Sequence, residues 1–135
     1  MSSAPGGAAN RPLSPHLQVW RFHVTMLGSI LHRISGAGLY VGALVLAGWA
    51  LSLASGPEAY AGFTAVLGSF PGKLVLFDLT LGLFYHLAKG IQHLIWDTGR
   101  GFNLPSANAG SIACIVVSIV ASVAVWFLAA TMGAL

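Results

Sequence analysis

The chain has 135 residues, 56% of them hydrophobic and only 7% charged, with a formal net charge of +3. Soluble domains carry about 25% charged residues, so a soluble enzyme is excluded and an integral membrane protein is indicated. The six basic residues are scattered and form no patch for nucleic acid.

The opening stretch, MSSAPGGAANRPLSP, is small, polar and proline-containing. It lacks the basic start and apolar core of a secretory signal. Residues 1–28 are therefore read as a cytoplasmic N-terminal segment. A short interfacial helix is expected from Arg21 to Leu31, before the first span. The single cysteine, Cys114, lies in the apolar stretch SIACIVVSIV, allows no internal disulfide, and reads as a small packing residue. No internal repeat or heptad pattern is evident.

A membrane-spanning helix needs about 20 mostly apolar residues. Three segments qualify, at about 29–54, 73–97 and 107–131. The fold class is all-α, with a three-helix transmembrane domain over residues 29–132. Barrel strands are far shorter than these segments, and lipid tolerates no unpaired backbone. The loop SGPEAYAGF carries turn chemistry at Ser55, Gly56 and Pro57, and the link TGRGFNLPSANAG is rich in Gly, Asn and Pro. Arg11, Arg21 and Arg33 mark the N-terminal side of the first span and Arg100 follows the second, whereas only Lys73 lies near the opposite face. Basic residues favour the cytoplasmic side, so the N-terminus and the second link are expected there.

The second span departs from the others, since Asp78, His86, Lys89 and His93 interrupt it. His86, Lys89, Gly90, His93 and Asp97 fall at offsets of 3, 4, 7 and 11 from the first histidine, on one helical face. Polar groups at membrane depth are costly unless partnered, so this stripe should face protein, a cofactor or water. A neutral imidazole deep in a helix can be an axial ligand to haem iron. Gly82 and Gly90, each four residues from His86, would give a flat macrocycle clearance. His86 lies roughly 16 Å from Asp97 along the helix, and His93 two turns nearer the surface. The plainer alternatives are an interhelical hydrogen bond for His86, an interfacial place for His93, and a Lys89 that snorkels toward the cytoplasmic face. Asp78 lies off the stripe and pairs with a neighbouring helix or reaches the outer interface.

A second polar group precedes the first span, in SILHRISG. Ser29 and Arg33 are one helical turn apart, with His32 beside the arginine. An arginine at a cytoplasmic helix end is also what charge topology alone requires. As a cluster, these residues suit a quinone headgroup entering from the bilayer. Ser29 can donate a hydrogen bond to a carbonyl, and Arg33 can stabilise negative charge on a quinone oxygen or neutralise propionates.

SILHRISG, then a span, then YHLAKGIQHLIWDTG resembles the cytochrome b subunit, the large membrane anchor, of succinate dehydrogenase in respiratory complex II. RPLSPHLQVW is similar to that family's N-terminal segment. The resemblance runs from about Arg11 to Gly101, and the third span matches only in being apolar. It implies that His86 is an axial ligand of haem b, with the other ligand supplied by a second membrane anchor. It implies that Ser29 and Arg33 line the ubiquinone pocket, with Ile30 packed nearby. It places His32, Arg33 and His93 by the haem propionates. The family often reads GIRH where this chain has GIQH, so Gln92 removes a charge. Lys89 stands where the family usually has an uncharged residue.

The resemblance further implies a complex with a flavoprotein, an iron–sulfur protein and a second anchor, in which succinate is oxidised outside this chain. The isolated chain would have no catalytic activity. A bacterial cytoplasmic membrane is expected ahead of the mitochondrial inner membrane. Three other readings stay open: a haem-free structural anchor, a fumarate reductase anchor, and a proton- or ion-conducting subunit using Asp78, Lys89 and the histidines.

Overall fold

The computed structural model describes residues 17–133. The N-terminal tail, with Arg11 and the start of RPLSPHLQVW, lies outside the described residues, as do the last two positions. A short 3-10 turn, Leu17–Val19, precedes four helices: α1 (Val24–Ala54), α2 (Pro57–Gly68), α3 (Phe70–Asp97) and α4 (Leu104–Thr131). The described residues contain no strand.

Helices α1, α3 and α4 have 31, 28 and 28 residues and are long and apolar enough to cross a membrane. At about 1.5 Å per residue each measures roughly 42–46 Å, against a hydrocarbon core of about 30 Å. Each therefore reaches the headgroup layer at both ends. The expected interfacial helix from Arg21 to Leu31 does not form separately. Instead α1 runs unbroken from Val24, and Arg21 precedes it. No proline interrupts this stretch, and its glycines are tolerated within a helix packed against neighbours.

The loop SGPEAYAGF is also shorter than its composition implies. Gly56, with φ 110, makes the turn, and Pro57 then opens α2 with Glu58 in its first turn. Proline loses nothing at a helix start, where its missing N–H has no partner anyway, and an acid there meets the positive end of the helix dipole. Ser69 caps α3 by accepting from the Gly72 amide at 3.3 Å, and Asn103 caps α4 by accepting from the Ser106 amide at 2.9 Å.

Helix α3 is central, packing against α4 and α1, while α2 folds back on α1 and α3. The interior is small and polar rather than large and apolar. Along α4, Ala107, Ser111, Cys114, Ser118 and Ser122 are all buried. Their spacing of four, three, four and four puts them on one face. Small residues let membrane helices approach closely. Ser118 and Ser122 satisfy their own hydroxyls by donating to the carbonyls of Ile115 at 2.8 Å and Ser118 at 2.7 Å. Cys114 packs in this seam, as expected. Leu83, Leu87 and Leu94 of α3 and Val116, Val120 and Phe127 of α4 point outward, where lipid solvates them.

The α2–α3 turn depends on Gly72. A Cβ there would collide with the backbone carbonyls of Val66 and Leu67. Gly72→Ala is expected to destabilise the bundle by about 1–3 kcal/mol, the usual cost of overpacking. Gly62, with open space around it, supplies the control: Gly62→Ala should leave the thermal midpoint in detergent unchanged or slightly higher.

Candidate functional site

Three histidines from two helices meet between α1 and α3. The rings of His32 and His86 stack at 4.1 Å with an interplanar angle of 8°. His93 stands edge-on to His32 at 4.9 Å, and Trp96 lies 5.4 Å from His93. These rings do not surround a common point, and among the described residues no group of three potential ligands could hold a metal ion. The cluster is not a metal cage.

The nitrogen of His86 that faces α1 is Nδ1. It lies 3.3 Å from the carbonyl oxygen of His32 and 3.3 Å from Ser35 Oγ. A carbonyl can only accept, so this contact is a hydrogen bond in the tautomer that protonates Nδ1. Ser35 spends its own hydroxyl hydrogen on the same His32 carbonyl at 2.9 Å, leaving its oxygen free to accept. In that tautomer the other nitrogen, Nε2, keeps its lone pair. Gly36 makes the approach possible, since a Cβ there would lie 3.1 Å from His86 Cε1. The stacked His32 covers a face of the ring, whereas a lone pair lies in the ring plane. His32 Nε2 is itself buried without a hydrogen-bond partner.

The predicted polar stripe on α3 is divided between two neighbours. His86 and His93 turn to α1, while Lys89 turns into the bundle with α4. Lys89 does not snorkel. It is 1% exposed, and its Nζ donates to Gln92 Oε1 at 2.6 Å and to Ser111 Oγ at 3.0 Å. Gln92 in turn donates to the Ala107 carbonyl at 3.3 Å. Gly90 has open space beside it, and a Cβ on Gly82 would meet only Ser35 of α1, at 3.9 Å. Asp97 is exposed at the end of α3.

On α1 the residues of SILHR point two ways. Gly28, His32, Ser35 and Gly36 face α3, and Tyr85 Oη donates to the Gly28 carbonyl at 2.9 Å. Ser29 is half-buried, while Ile30 and Arg33 are exposed on the outer side. Arg33 thus stands with Ser29 and Ile30 and outside the stacked-histidine group. A cleft of about 280 Å³ between α1, α3 and α4 is lined by Ser35, Gly38, Gly82, Tyr85 and the exposed Asp78 among others.

Sequence reasoning missed Ser35, Gly36, Tyr85 and Ser111. The first two lie three and four residues after His32, on its face, so helical spacing could have found them. Nothing local marks Tyr85 or Ser111, whose roles come from neighbouring helices.

Residues 8–125 match the family model described as succinate dehydrogenase/fumarate reductase transmembrane subunit. The chain belongs to this family. The match takes in α1, α2, α3 and most of α4. The succinate dehydrogenase cytochrome b556 subunit of Paracoccus denitrificans is 38% identical over 114 residues, covering 84% of this chain and 88% of that protein. The subunit of the same description from Rickettsia felis is 34% identical over 116 residues, covering 86% and 90%. The mitochondrial cytochrome b560 subunit of Mus musculus is 35% identical over 117 residues, covering 85% and 69%. This transmembrane subunit is thus one part of an enzyme complex rather than a catalyst alone.

Proposed function

We propose that this chain is the membrane-anchor cytochrome b subunit of a succinate:ubiquinone oxidoreductase, with His86 as an axial ligand of haem b. The observation that carries the reading is the setting of His86, whose Nδ1 lies 3.3 Å from both the His32 carbonyl oxygen and Ser35 Oγ, in the manner of a ligating imidazole braced through its second nitrogen. Outer partners of this kind orient a ligating imidazole and raise its basicity. The residues fit the group in two further ways. His32 presents a buried ring nitrogen without a partner, and Gly90 leaves space along α3. His32 and His93 are the side chains next to His86 that would meet propionates. Bound haem supplies a one-electron store. Ubiquinone is the substrate of the outer face of α1, where Ser29 donates to a quinone carbonyl and Arg33 stabilises charge on the reduced oxygen, with Ile30 against the ring.

The second axial ligand comes from a partner anchor, and iron–sulfur and flavoprotein subunits dock on the side carrying Arg21, Arg33 and Arg100. That side is the cytoplasm in a bacterial inner membrane and the matrix in a mitochondrion. Relatives from Paracoccus and Rickettsia are consistent with the bacterial setting, and mitochondrial relatives match at similar identity. A haem-free anchor is the second reading, favoured by the fact that His86 already bridges α3 to α1. A reduced-minus-oxidised visible spectrum of the purified native complex separates the two. A b-type band together with succinate-dependent ubiquinone reduction is expected, and a complex lacking that band would leave this chain as a docking and quinone-site anchor.

A further inference from the structure

Lys89 is the buried polar group that the haem and quinone assignments leave unused. The whole residue is 1% exposed inside a helical bundle of membrane-spanning length. It donates to two neutral acceptors, Gln92 Oε1 at 2.6 Å and Ser111 Oγ at 3.0 Å, and lies 5.1 Å from the centre of the Trp96 ring, while the Cys114 thiol donates to the same Gln92 oxygen at 3.7 Å. The shortest of these has the length of a charge-assisted hydrogen bond. The chain has three acidic residues, and none is near. Glu58 is in α2, Asp78 lies eleven residues away along α3, and Asp97 is exposed at the helix end. A lysine stem could carry its charge toward the interface, yet this one turns inward. The fold makes room for it at two glycines. A Cβ on Gly28 would lie 2.9 Å from Lys89 Nζ, and a Cβ on Gly110 would collide with the Gln92 amide.

The position of the ammonium links both candidate sites. Ring contacts lead from it to His86: Trp96 to His93 at 5.4 Å, His93 to His32 at 4.9 Å, and His32 to His86 at 4.1 Å. On its other side Gly28 immediately precedes Ser29. A protonated Lys89 places a positive charge in a poorly polarisable interior, where it acts on its surroundings with little screening. It favours whichever redox form carries more negative charge.

Building on the haem and quinone reading, we propose that Lys89 is a built-in cation that raises the reduction potential at His86 and favours reduction of quinone beside Ser29. Gln92 and Ser111 hold the ammonium without cancelling it, because both are neutral acceptors. Lys89 is a positioning residue for charge, not a ligand.

The test is a potentiometric titration of the b-type band in the purified complex, for the parent, Lys89→Met, Lys89→Arg and Gln92→Glu. Lys89→Met removes the charge. Gln92→Glu sets a carboxylate against it and serves if the methionine variant does not assemble. Both are expected to titrate at a lower potential than the parent, with Lys89→Arg staying close to it. Thermal unfolding is recorded in parallel, since a purely structural lysine would shift the melting temperature and leave the potential alone. A parent-like potential in either neutralised variant overturns the proposal. A native complex with no b-type band overturns the haem reading on which it rests, and that outcome is visible before any variant is made.

Discussion

Replacing His86 by alanine is expected to abolish most of the b-type absorbance of the complex. In the proposed reading the iron–imidazole bond is lost outright, so the loss of haem affinity should exceed the roughly 10–100-fold that removal of an outer partner costs. Ser35→Ala gives that smaller effect for comparison. It removes one of the two acceptors around His86 Nδ1 and leaves the His32 carbonyl in place. Residual haem in the His86 variant has an obvious source. His32 is stacked 4.1 Å away, with a buried nitrogen lacking a partner. The double variant His32→Ala/His86→Ala should then show no band. An intact spectrum in the single and double variants would move haem ligation off this chain.

Arg33→Leu is expected to cut ubiquinone reduction by about 10- to 100-fold while succinate-to-dye activity stays near the parent level. A hydrogen bond to a charged group is worth about 1.5–3 kcal/mol, and each 1.4 kcal/mol is tenfold in rate. Ser29→Ala removes a neutral hydrogen bond of about 1 kcal/mol and should cost about fivefold. Arg33 is exposed on α1 and outside the stacked-histidine group, so neither change should alter the haem spectrum. The paired assays separate the quinone site from the flavin chemistry, which lies in another subunit of the proposed complex. Unchanged quinone reduction in Arg33→Leu would remove that residue from the site.

The membrane character, three spans and the two polar segments were legible in the residues. A charge-free run of apolar residues long enough to cross a bilayer has few other stable folds, because lipid offers the backbone no hydrogen-bond partner. The ends of elements were less legible. Gly56 and Pro57 mark a turn in sequence, yet the same proline starts α2, since its fixed backbone angle suits either use. Arg21 to Leu31 suggested a separate interfacial helix, but α1 starts at Val24 and runs on past Leu31 without a break.

The stripe on α3 shows where local periodicity stops. Spacing alone put His86, Lys89, His93 and Asp97 on one face of a helix. It could not say that α1 takes the histidines while the lysine enters between α1 and α4, because a face about 100° wide can meet two neighbours. Nor could it foresee that Lys89 turns inward, which needs Gly28, Gly110 and Ser111 from other helices to supply space and an acceptor. The polar setting of His86 Nδ1 includes a carbonyl 54 positions away in the chain. By itself the sequence determined that this is a three-span membrane subunit with ionisable groups in its second span, because hydropathy and helical period are local properties. The tertiary structure alone decided which of those groups meet, because partnership between polar side chains in a bilayer is settled by how helices pack against one another.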